Sequence, residues 1–183
     1  MSAHRNAGEL PVVHIDQQDD YSCVPICLKM VLDYVPGEFG IELPNLSLDE
    51  IRRAIDTRSD GTLLPDVPKI NRKLAGGSHL VEFLPSEGNS FDDIRQELTA
   101  RRPVIAWVER GPPGREFWHS IVLTYVDPRK LIVKYDDPIN GKQEQPVSDF
   151  LRQWGKIANV LIRVRIDKKP PQTELEQFGS ATH

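Results

Sequence analysis

The stretch Cys23-Val24-Pro25-Ile26-Cys27-Leu28-Lys29-Met30-Val31-Leu32 is apolar but for one lysine, and it reads as a helix running to about Tyr34. Pro25 belongs in a first helical turn, where the missing N–H would be unpaired anyway. That puts Cys23 at the helix N-terminus, where unpaired N–H groups and the macrodipole favour negative charge and lower a thiol's pKa. Cys27, one turn deeper among apolar residues, reads as a neutral core thiol. The chemistry of this chain is therefore expected at the start of its first helix.

Outward from that helix the first half stays helical. Ser47-Leu48-Asp49-Glu50 is a capping box opening a short helix through Ile55, and Pro65 to Leu74 predicts a third helix, stopped at Gly76-Gly77. The second half changes period. Leu80 to Leu84 reads as a strand and Phe91 to Ala100 as a helix capped by Ser90. Pro103 to Val108, Ser120 to Val126 and Leu131 to Tyr135 are β-branched runs, the last two joined by the turn Asp127-Pro128-Arg129-Lys130. A helix near Ser148 to Trp154 and a strand from Val160 to Ile166 complete the pattern. Helices first and an antiparallel sheet second imply an α+β fold, an N-terminal helical lobe packed on a C-terminal sheet with a cleft between them. Residues 1–167 are expected to form one domain, and the polar segment 168–183, opening on Lys168-Lys169-Pro170-Pro171, has the composition of a disordered tail.

The chain has 183 residues, enough to bury a core without disulfides or metals, and a formal charge of −4. That balance offers no basic field for nucleic acid or anionic lipid. Two cysteines four residues apart make no disulfide framework, and no Cys-x-x-Cys or His-x-x-x-His pair supplies a metal site. No secretory h-region or membrane span is read, so the expectation is a cytoplasmic protein without metal or cofactor. Oligomeric state is left open.

Downstream, Trp118-His119-Ser120 leads into a strand, where the indole is expected to shield one side of the imidazole. His119 suits a general base for Cys23 and then a general acid for a departing amine. Asp136-Asp137-Pro138 ends the next strand, and an antiparallel hairpin returns that end beside the start of its neighbour. Either carboxylate can then reach His119, fix its tautomer and stabilise the imidazolium. His14 and His79 have no carboxylate turn following them in sequence. Asp19 and Asp20 read as solvated loop charges, and Gly111-Pro112-Pro113-Gly114-Arg115-Glu116-Phe117 as a hairpin loop bordering the site.

The segment Gln17 to Val35, the strand Pro103-Val104-Ile105, Trp118-His119-Ser120-Ile121-Val122-Leu123 and Tyr135-Asp136-Asp137-Pro138-Ile139-Asn140-Gly141 resemble the double-glycine leader peptidases, which are papain-like enzymes often found as N-terminal domains of bacteriocin exporters. The resemblance spans most of residues 12–165. It implies a papain-like cysteine peptidase fold and a triad of Cys23, His119 and Asp137, the aspartate of the Asp-Pro turn. It further implies an oxyanion hole completed by Gln17 rather than its neighbour Gln18, and a peptide or protein substrate, with leader processing as one form. The chain departs from the family in carrying Val24 where glycine usually follows the cysteine, and a side chain there would narrow the cleft. The exporter's membrane and ATPase domains are absent from the sequence, which implies a stand-alone relative. The same triad also suits acyl or amide transfer, as in a protein-targeting toxin, and the Val24 departure suits a silent peptide-binding module.

Overall fold

A computed structural model describes residues 8–75 and 79–168 of the chain. The first helix, α1, spans Cys23–Phe39 and is enclosed on almost every side: Val24, Pro25, Ile26, Cys27, Leu28, Met30, Val31, Leu32, Tyr34 and Val35 are all buried. Lys29 and Asp33, one turn apart, form an ion pair on the helix's open side. An all-round apolar helix must be covered from several directions. Here the sheet covers one side and the short helix α2 (Leu48–Ala54) another.

The helix runs five residues beyond the predicted end at Tyr34, through Pro36. Gly40, at φ 61°, closes it in the left-handed conformation that glycine adopts without strain. Tertiary contacts hold this last turn, because the Tyr34 hydroxyl donates to the Arg101 carbonyl at 2.9 Å and Glu38 pairs with the Arg101 guanidinium. The predicted capping box at Ser47 forms with Glu50 in both directions. The predicted helix over Pro65 to Leu74 divides into a 3-10 helix, Leu64–Ile70, and a single α turn, α3 (Asn71–Leu74). Pro68 inside the first piece removes a donor that an α-helix needs. The stop at Gly76-Gly77 lies outside the described residues.

Six antiparallel strands follow: β1 (His79–Ser86), β2 (Val104–Arg110), β3 (Phe117–Asp127), β4 (Ile132–Asp137), β5 (Gly141–Pro146) and β6 (Leu161–Lys168), in the order β1-β6-β2-β3-β4-β5. Helix α4 (Phe91–Thr99), capped by Ser90 as predicted, and α5 (Val147–Gly155) connect them. The mixed helix-and-sheet architecture is the α+β fold expected. Sequence reading missed β5, whose residues Gly-Lys-Gln-Glu-Gln-Pro are polar and largely exposed. It exists as an edge strand through main-chain pairing to β4. Leu131, read as the first residue of β4, instead sits in the turn at φ 53°, while the Asp127 carboxylate accepts from Arg129 N and Lys130 N.

The register between β3 and β4 slips between Leu123 and Tyr125, which makes Thr124 a bulge. Its freed carbonyl accepts from Leu10 N at 3.1 Å. This bond and one from Gln17 N to the Pro138 carbonyl at 2.7 Å lay residues 10–17 across the β3–β4 pair and deliver the chain to the start of α1. The tail expected from Lys168 begins at the last residue of β6, and residues 169–183 lie outside the described residues.

Candidate active site

Three elements converge where α1 begins. Cys23 is the first residue of α1, His119 is the third residue of β3, and Asp137 is the last residue of β4. Strand β3 starts earlier than predicted, so His119 lies within the ladder opposite Val108 and is held by it. The ring nitrogen Nε2 lies 2.8 Å from Asp137 Oδ1. An ionised carboxylate can only accept, so Nε2 carries the proton of that bond and Nδ1 is left for the thiol.

Asp137 is fully buried and held from several sides. Ile139 N donates to Oδ1 at 2.9 Å, Asn140 Nδ2 donates to Oδ2 at 3.2 Å, and Arg110 Nη2 lies 3.5 Å from Oδ2. Burial opposes its ionisation, but the His119 hydrogen bond and charge, with the Ile139 N–H and Asn140, outweigh it and hold the carboxyl far below the usual range. For His119, burial favours the neutral ring, whereas the bonds and charges of Asp137 and Cys23 raise the imidazole to about 9. Burial likewise raises the Cys23 thiol, yet its hydrogen bond and Coulomb interaction with His119, aided by Ser120, bring it net below the usual thiol value. Cys27, wholly buried one turn along, is pushed well up by burial and by the negative charges of Cys23, Asp137 and Asp136. The two thiols thus differ in environment as the sequence implies.

Of the two adjacent aspartates, Asp137 meets His119, while Asp136 faces His14, whose Nδ1 is 3.5 Å from Asp136 Oδ1. His14 lies between two carboxylates, with Nε2 2.9 Å from Asp16 Oδ1, two residues on in its own segment, and Asp136 brought to the other nitrogen by folding. Gln17 donates its amide nitrogen to the Asp19 carbonyl, which fixes which side of the amide carries the N–H groups and leaves Oε1 buried without a partner. Asp19 is not a solvated loop charge: it binds Ser22 Oγ at 2.8 Å, accepts from Tyr21 N at 3.0 Å and pairs with Arg52.

Two further expectations are corrected. Trp118 is 66% exposed and tilts against Trp107, while the ring against His119 is Phe117, edge-on at 6.3 Å between centroids. Residues i and i+2 share a face of a strand and residues i and i+1 do not. Val24 does not line a surface; it is buried in the core. Sequence reading missed Asn140, although the Asx geometry of Asp137-Pro138-Ile139-Asn140 signals it, and Arg110 and Arg52, for which no local signal exists. Among the described residues no group of three His, Cys, Asp or Glu side chains is placed to hold a metal ion. No helix among them is long and apolar enough to cross a membrane.

Residues 9–162 match the Peptidase_C39 like family. The chain belongs to that family. Solved structures share its fold at low identity. A candidate C39-like peptidase from Bacillus anthracis is 14% identical with a TM-score of 0.64, over 87% of this chain and 96% of that one. A double glycine motif protease from an AMS/PCAT transporter, in complex with the leader peptide, is 20% identical with a TM-score of 0.60, covering 88% and 95%. The peptidase domain of Streptococcus ComA, a bi-functional ABC transporter of a quorum-sensing pathway, is 17% identical with a TM-score of 0.57, covering 85% and 97%. No curated protein matches the chain. The double-glycine resemblance read from the sequence and the Peptidase_C39 like match name the same group of peptidases.

Proposed function

We propose that this member of the Peptidase_C39 like family is a cysteine peptidase in which Cys23 is the nucleophile, His119 the general base and acid, Asp137 the group that orients His119, and Gln17 with the Cys23 N–H the oxyanion donors. The observation that carries the reading is geometric: Cys23 opens α1 where the buried His119 of β3, its Nε2 2.8 Å from Asp137 Oδ1 at the end of β4, meets it, and the hydrogen bond and charge of His119 hold the thiol below its usual value against burial. In the reaction the Cys23 thiolate adds to a peptide carbonyl and the oxyanion collapses to a thioester. The departing amine takes its proton from the His119 imidazolium. Water then adds to the thioester, its proton passes to His119, and the carboxylic acid and the thiolate are released.

A peptide or protein substrate is supported by the fold shared with a protease whose crystal structure holds a leader peptide, and leader-peptide cleavage is the form of the activity we favour. Cys23→Ala is expected to abolish turnover of a peptide library while leaving the melting temperature nearly unchanged, with cleavage read as a mass gain of one water. Retained turnover in that variant would sink the assignment. Gln17→Ala is expected to lower kcat by about 10²–10³, the usual cost of one oxyanion donor, with thiol alkylation unchanged.

A further inference from the structure

We infer that Arg52 is a positioning residue for this chemistry: reaching from α2, its guanidinium fixes segment 17–22, which carries the Gln17 amide at one end and leads into Cys23 at the other. The inference rests on the peptidase reading above. Arg52 Nε donates to Ser22 Oγ at 2.9 Å, Nη1 to Asp49 Oδ1 at 3.1 Å, and Nη2 to Asp19 Oδ2. The guanidinium also lies 5.9 Å from the centroid of the Tyr21 ring. Asp19 relays the contact, because its backbone carbonyl takes the Gln17 amide while its carboxylate takes Tyr21 N and the Ser22 hydroxyl. One planar fork from a residue thirty places away thus holds the loop through a carboxylate and a hydroxyl, a geometry that lysine cannot reproduce.

The fork also leaves the helix end open. Ser22 occupies the N-cap position of α1, where a serine oxygen ordinarily accepts an N–H from the first turn. Ser22 caps nothing; its φ of −99° and ψ of 17° are not those of a capping residue, and its hydroxyl is engaged by Arg52 and Asp19. No acidic residue lies in the first turn. The Cys23 and Val24 N–H groups, which the helix ladder does not use, are left to face negative charge at the sulfur or on an oxyanion, and Pro25 has none to offer. Arg52 also pairs with the Asp19 carboxylate and, with Ser22 Oγ and Tyr21 N, helps hold it ionised.

Two electrophiles separate positioning from mere support. Iodoacetamide alkylates a thiolate without forming an oxyanion, whereas p-nitrophenyl acetate acylates it through one. In Arg52→Ala, acylation of Cys23 is expected to fall about 10- to 100-fold, the scale of a roughly 1 Å misplacement. Alkylation of Cys23, resolved by mass from Cys27, should change only a few-fold. Arg52→Lys should lose acylation as Arg52→Ala does, and guanidinium ion at sub-denaturing concentration should restore part of it to Arg52→Ala. Should Arg52→Ala not fold, Arg52→Lys carries the same comparison. Equal loss in both chemistries, full activity in Arg52→Lys, or unchanged acylation overturns the positioning role. Slow iodoacetamide labelling of Cys23 in the unmutated protein overturns the peptidase reading itself.

Discussion

Asp136 and Asp137 are adjacent carboxylates, both buried, with opposite ionisation tendencies. Asp137 gains His119, two backbone N–H donors and Asn140, and ionises easily. Asp136 has both oxygens buried without a hydrogen bond, and burial raises its carboxyl above the usual range despite Lys142 and His14. The two asparagine variants should therefore diverge. Asp137→Asn should slow alkylation of Cys23 near pH 7, because an amide cannot sustain the imidazolium, and each unit by which the thiol pKa rises removes about tenfold of thiolate. Asp136→Asn should leave alkylation unchanged and stabilise the fold near neutral pH, because the amide buries no charge, by about 1.4 kcal/mol for each unit by which burial raises the carboxyl. A carboxyl with a raised folded pKa costs stability above its unfolded pKa, so the gain should vanish in acid, where both forms are uncharged. Urea midpoints for the two proteins at acid and neutral pH check this, and a gain that persists in acid contradicts it.

At the scale of elements, α2 and α4 both begin on a reciprocal capping box, Ser47 with Glu50 and Ser90 with Asp93. Short helices contribute little intrinsic stability, so their caps matter. Ser47→Ala and Ser90→Ala should each cost about 1 kcal/mol. The two boxes share no partner, so the double variant should cost about 2 kcal/mol. Denaturant titration of the three variants tests it, and a coupling well beyond the error of the fits would show that the boxes are not independent. These boxes were legible because their partners sit three residues apart. The end of α1 was not, since it depends on Arg101, far along the chain, and neither was β5, whose polar residues carry no period and whose existence is main-chain pairing at a sheet edge.

Across the whole molecule, stability and chemistry share the same charges. His119 is raised from 6.5 to about 9 by its partners against burial, so its contribution to stability is complete below about 6.5 and is lost as pH rises through the folded value. The lowered Cys23 thiol acts oppositely over that range. In Cys23→Ala, where only the imidazole titrates, the denaturation midpoint should fall from pH 6.5 upward, and adding His119→Ala should flatten the fall; a midpoint independent of pH in Cys23→Ala would remove the His119–Asp137 pair as a source of stability. The fold itself persists at 14–20% identity with TM-scores of 0.57–0.64, as expected where pattern and volume, rather than particular side chains, specify a core. Sequence alone determined that pattern: an apolar helix opened by Cys23 and Pro25, capped short helices, β-branched runs, and a His119 and an Asp-Pro turn on neighbouring strands. Those are local signals, carried by period, propensity and spacing. Tertiary structure alone decided that Asp136 faces His14, that Phe117 rather than Trp118 lies edge-on to the imidazole, that Val24 is buried, and that Arg52 reaches Asp19 and Ser22. Each of these depends on strand register or on a contact between distant segments, and neither exists until the chain has folded.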